Sequence, residues 1–245
     1  ECSLINPDSS ILIFEYNFSS VRNVLATDKS LISAFKSNSA GINSQLNFSE
    51  TSGKYRYGVG ADITTKDFDP NDLGLNFETN YYSIYGNTSY RILNPTKYFN
   101  NFSANLNVYS QFQKETGKIQ SSSIVFKINS TNKKNHYFGM GFDANPVETF
   151  DYYEPRTADR FVIKPTKIGG FIYISTNYNN SFAIDLNPSF TLYDESGRNS
   201  HGFSVGPRYR FNDKLSLNYN FNFLRQNNNK GYIDSMNDDM NVATP

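Results

Sequence analysis

The stretch FSANLNVYSQFQ, residues 102–113, decides how this chain is read. Phe102, Ala104, Leu106, Val108 and Phe112 alternate with Ser103, Asn105, Asn107, Tyr109, Gln111 and Gln113. Side chains of an extended strand point to opposite faces in turn, so a period of two puts oil on one side and amides and hydroxyls on the other. The same split recurs upstream, where Ile42, Leu46 and Phe48 oppose Asn43, Gln45, Asn47 and Ser49. It recurs downstream in Phe182, Ile184, Leu186, Phe190 and Leu192, then Phe203 to Phe211, then Leu215 to Phe223 with Ser216, Asn218, Asn220 and Asn222 opposite.

About ten such strands fit between residues 40 and 226, most of them roughly 10 to 13 residues long. Soluble strands average about 5 to 6 residues, whereas a tilted strand crossing a bilayer takes about 9 to 11. The connections add a second signal. Short links near 50–53, 131–134, 178–181 and 211–214 alternate with long ones near 65–79, 144–166 and beyond 226, the alternation of periplasmic turns and external loops. The link at Asn94, Pro95, Thr96 and Lys97 is long for the periplasmic side.

Composition agrees with strands whose faces meet different solvents. Only 38% of the 245 residues are apolar and mean hydropathy is −0.58, yet 16% are aromatic, with 21 Phe and 18 Tyr. Disordered chains are poor in aromatics. The 23 basic and 23 acidic residues cancel, which argues against nucleic acid as a partner. One cysteine, Cys2, and two histidines leave no disulfide and no zinc ligand set. No apolar run reaches the length of a membrane helix, and Glu1 does not begin a secretory signal.

The sequence therefore predicts an all-β, antiparallel up-and-down transmembrane β-barrel, with about ten strands visible as part of a larger barrel. Residues 1–38 stay unassigned, with one possible strand in Leu12, Phe14, Tyr16 and Phe18. Residues 39–226 are the barrel strands, and 227–245 a polar external loop or a truncated continuation. The alternative is a secreted soluble β-sandwich that binds carbohydrate.

Few residues suggest chemistry. Asp67, Asp69, Asn71 and Glu78 stand at relative positions 1, 3, 5 and 12, a calcium-loop spacing, and make calcium the one cofactor to consider. Flanking helices are missing and Asp72 holds position six, where the loop needs glycine, so side-chain-to-backbone turns explain the same residues. The densest polar cluster is an external-loop set, Asp151, Tyr153, Glu154, Arg156 and Arg160, among Phe150 and Tyr152. Its carboxylates lack a water-excluded frame, so a non-catalytic, ion-paired and aromatic-pinned loop folding over the barrel mouth is expected. Tyr81, Tyr82, Tyr85 and Tyr90 are expected as an interfacial girdle.

Landmarks then come in an ordered set: Asp67-Phe68-Asp69-Pro70-Asn71-Asp72-Leu73-Gly74, Glu78, Asn94-Pro95, Phe99-Asn100, Asp151, Tyr153-Glu154-Pro155-Arg156, Arg160 and Leu215-Ser216-Leu217. Over roughly residues 40–240 they resemble the C-terminal barrel domain, of unknown function, in Bacteroidota outer-membrane proteins whose N-terminal domain is similar to family 9 carbohydrate-binding modules. This chain has Leu75 where the family has Phe, and Asp159 where it has Gly. The resemblance implies a bacterial outer-membrane location and a structural, transport or assembly role. Its implied partners are outer-membrane lipid, other envelope proteins and glycan. It assigns no catalytic residue.

Overall fold

The computed structural model describes residues 12–22, 40–50, 52–68, 78–155 and 160–230, with side chains from Gly41 onward. The described residues form strands joined by turns and loops, with no helix. In chain order the strands are β1 (Leu12–Arg22), β2 (Ala40–Glu50), β3 (Tyr55–Thr64), β4 (Tyr81–Ile92), β5 (Phe99–Gln113), β6 (Ile119–Asn132) and β7 (Tyr137–Asn145). The short β8 (Thr149–Asp151) and β9 (Val162–Lys164) follow, then β10 (Lys167–Ser175), β11 (Phe182–Tyr193), β12 (Asn199–Asn212), β13 (Leu215–Asn218) and β14 (Phe221–Asn227).

All but β8 and β9 belong to one sheet in which each strand pairs antiparallel with its predecessor in the sheet. β13 and β14 both lie along β12 as two segments of the last ribbon. The all-β, up-and-down reading holds, and so does the expectation of about ten strands between residues 40 and 226, the last ribbon ending at Asn227. Strands of 15 residues in β5 and 14 in β6 and β12 run well past the soluble average of about 6. Among the described residues β1 and the β13/β14 ribbon pair with no partner on their outer sides, so the sheet is open there.

Register sorts the side chains as their alternation predicts. On one face of the β4–β5 pair Tyr82 meets Phe112, Gly86 meets Val108, Thr88 meets Leu106 and Ile92 meets Phe102. The Tyr82 and Phe112 rings stack with centroids 5.0 Å apart. On the other face Ser83 meets Gln111, Tyr85 meets Tyr109 and Asn87 meets Asn107.

Burial runs opposite to that of a soluble core. Val59, Ile84 and Val108 on the apolar face are 57%, 53% and 41% exposed, while Ser83 and Gln111 on the polar face are 1% and 5% exposed. Phe68 and Ala183 are the buried apolar residues among those described. Part of this burial comes from the connection after β7, which packs over the polar face, and one cavity lined from Glu78 before β4 to Arg198 before β12 puts the polar face on the concave side and the oily face on the convex side.

Two devices support the curl. Register slips between Gln111 and Phe112, a β-bulge that brings Gln120 onto the polar face, where Gln111 Nε2 donates to Gln120 Oε1 at 3.2 Å. At Gly60 an added Cβ would lie 2.4 Å from both the Tyr85 ring and Asn47 Oδ1. The absent side chain lets Tyr85 lie over the neighbouring strand, where its hydroxyl accepts from Gln45 Nε2 at 2.8 Å and donates to Asn47 Oδ1. Gly60→Ala is expected to displace that ring and cost about 1–2 kcal/mol, read in a urea titration. Tyr85→Ala in the same background should recover part of the loss.

The tyrosine girdle expected in β4 is divided by this geometry. Tyr82 and Tyr90 stand on the convex face, but Tyr81 and Tyr85 share the concave face with Gln113 and Tyr109. Adjacent residues of a strand cannot share a face.

Connections at one end of the sheet, 51–54, 93–98, 133–136, 176–181 and 213–214, are all short. At the other end 23–39, 65–80 and 146–166 are long, but 114–118 and 194–198 are short turns. His136, in one of the short turns, accepts at Nδ1 from the Asn177 backbone N–H at 3.0 Å and ties two neighbouring turns together.

Candidate functional site

The described parts of the 146–166 connection, 146–155 and 160–166, fold back on the sheet. Thr149–Asp151 and Val162–Lys164 pair as a small hairpin, and β8 packs against β6. Phe150 and Phe161 meet edge to face at 5.2 Å, and the Lys118 ammonium stands 4.5 Å and 4.3 Å from their ring centres. This cation–π contact fastens the hairpin to the β5–β6 turn. Tyr153 reaches further, its hydroxyl donating to the Thr79 carbonyl at 2.6 Å. The hairpin thus crosses the concave face from β7 toward the start of β4.

Beneath it lies a cavity of about 550 Å³. Glu78, Tyr109, Gln111, Gln120, Asn145, Lys167, Tyr193 and Arg198 line its wall, and Asp151, Tyr153 and Lys164 close it from the hairpin. Arg198 is held by Glu195 at 2.8 Å and lies over the Tyr193 ring at 4.1 Å.

Asp151 organises the hairpin. Its Oδ1 accepts from the backbone N–H of Tyr153 at 2.9 Å and of Glu154 at 3.0 Å, while Oδ2 pairs with Lys164. Burial pushes this carboxyl up, but the Lys164 hydrogen bond, the two backbone donors and the lysine charge together outweigh it, leaving it below the ordinary 3.8. Burial raises the Tyr153 phenol to about 12, against the Gln120 hydrogen bond and with the help of the Glu78 charge. Neither group exchanges a proton near neutrality, the property a general acid or base needs. The site is suited to holding a polar molecule.

A depressed carboxyl stabilises the fold above its unfolded value and loses that contribution as pH falls through the folded one. Hairpin protection against protease is therefore expected to be constant at neutral pH and to decay below about pH 4. Asp151→Asn should remove that acid dependence. Tyr153→Phe, which loses the bond to Thr79, is expected to cost the hairpin about 1 kcal/mol and to raise cleavage between 146 and 166 at neutral pH.

The residues singled out from sequence are brought together in part. Asp151 and Tyr153 meet at the cavity, Glu154 contributes its backbone, and Arg160 is exposed. Arg156 lies outside the described residues. Asp151 takes a lysine as its partner, 13 residues away across the hairpin. Of the calcium set, Glu78 lines the cavity and Asp67 sits in the turn after β3, while Asp69 and Asn71 lie outside the described residues. No group of metal-ligating side chains occurs among the described residues.

Sequence reasoning missed Lys164, Lys167, Tyr193 and Arg198 as members of the site. Alternation alone would have put Tyr193 and Lys167 on the concave face, but nothing local places the hairpin over them. No curated protein and no solved structure matches the chain. A family model described as "Domain of unknown function (DUF5916)" matches residues 12–244, which takes in β1 as well as the later strands, and the chain belongs to that family.

Proposed function

We propose that this chain is wall of an antiparallel outer-membrane β-barrel, a non-catalytic structural, transport or assembly component of a Bacteroidota envelope whose long connections contact partner proteins or glycan. The observation that carries this reading is the inverted burial, oil outside and amides inside. The charges reinforce it. Arg56, Asp62, Arg91, Lys127, Asp143, Lys167, Asp185, Arg208 and Arg210 all occupy concave-face positions. On the convex face of β2 to β14 the acidic, basic and imidazole side chains are Glu50, His201 and Arg225, all near strand ends. A charge at the middle of a bilayer costs several kcal/mol, about 2–4 for Arg or Lys in a barrel, so segregation of this kind is what lipid demands.

The reading requires both sheet edges to be paired, because unpaired backbone groups are not tolerated in lipid. A soluble carbohydrate-binding sandwich needs a second layer over the apolar face, and among the described residues none covers it.

Detergent extraction of the full-length protein tests the proposal. A species whose mobility shifts on boiling, with labels at Leu106, Ile184 and Leu217 quenched by brominated acyl chains, is the expected result. Monodisperse protein without detergent, with those labels unquenched, would sink it.

A further inference from the structure

The concave face is not electrically uniform. Toward the end with the short turns it carries Arg56, Arg91, Lys127, Arg208 and Arg210, against Asp185 and the register position of Glu15 opposite Asn47. The described ion pairs are Lys164–Asp151, Arg198–Glu195 and Lys230–Glu195, all at the other end, so none of these five cations is neutralised by one. Arg56 and Arg210 spend donors on the Gly53 and Asn179 carbonyls. Arg208 lies 5.3 Å from the Tyr178 ring centre, and its buried Nε has no hydrogen-bond partner. Asp185 accepts from the Tyr178 hydroxyl through one oxygen and leaves the other unpartnered.

The turns at this end add Lys54, Lys97, Lys133, Lys134 and Lys214 against Asp213. The opposite end of the concave face carries both signs, with Asp62 on β3, Asp143 on β7 and Lys167 on β10 two register positions from Asp143. An unneutralised guanidinium set along a concave wall creates a potential well for negative charge, and a buried unpartnered donor is satisfied by an acceptor arriving from solution.

We propose that the short-turn end of the concave face is a binding site for small anionic solutes bearing phosphate, sulfonate or carboxylate groups. The inference rests on the barrel reading, in which this face is the water-filled lumen. Lipid headgroups are excluded as the source of the anion, because these cations stand on the face turned away from lipid.

The test uses full-length protein in neutral detergent, with the trisulfonated dye pyranine followed by fluorescence anisotropy and inorganic phosphate as competitor. Expected are saturable binding, displacement by phosphate, weakening as ionic strength rises, and roughly tenfold weaker binding in Arg56→Gln/Arg91→Gln/Arg208→Gln. Should that variant lose its heat-modifiable form, Arg91→Gln and Lys127→Gln singly must each weaken binding. No pyranine binding, or binding unchanged in variants that still fold, overturns the site. Absence of any heat-modifiable species in the unaltered protein overturns the barrel reading instead, whatever the dye does.

Discussion

Val108→Arg is expected to lower folding stability in bilayers by about 3 kcal/mol, while Asn107→Arg, one residue away, changes it by no more than about 0.5 kcal/mol. Val108 is 41% exposed on the convex face in the middle of β5, opposite Gly86 and Ile124. Asn107 faces the concave side opposite Asn87. In water an arginine at either position would be a surface substitution worth a few tenths of a kcal/mol. The difference arises only if Val108 meets hydrocarbon, where the guanidinium must be desolvated or drag water in with it. Urea titration of the heat-modifiable fraction in liposomes reads the comparison. Equal stability of the two variants would remove the main support for a lipid-facing surface.

Gly41→Val is the second large effect, about 3 kcal/mol, and it reports on packing rather than on solvent. A Cβ at Gly41 would sit 2.2 Å from both the Asp67 carbonyl oxygen and the Phe68 Cα. These are backbone atoms of a turn held by Thr65 N–H to the Ile42 carbonyl at 2.9 Å and Ile42 N–H to Thr65 Oγ1 at 2.9 Å. At Gly60 the obstructing atoms belong to side chains that can rotate, so the cost there is smaller. At Gly41 the turn itself must lift, exposing Phe68. The expected readouts are a lower urea midpoint and new protease cleavage near residues 65–68. Unchanged cleavage with an unchanged midpoint would show that the turn does not press on β2.

Both predictions depend on features that differ in how far they can be read from residue order. The face of Val108 follows from strict alternation in 102–113, because a strand offers a side chain only two directions. The approach of Asp67 to Gly41 does not follow, since it joins residues 26 apart through a turn whose path no local pattern specifies. The cavity divides in the same way. Tyr109 and Gln111 lie on the concave face by parity, whereas Gln120 reaches it through a bulge that breaks parity. Lys164 finds Asp151 only because β8 and β9 pair with each other.

Residue order by itself determined the strands, the assignment of side chains to an oily and a polar face, and the segregation of charge, all consequences of the two-residue period of extended backbone. Only the tertiary structure decided which face is concave, where the hairpin lies, and which side chains share the cavity beneath it. Curvature and loop path are set by contacts between residues far apart in the chain, and no local period encodes them.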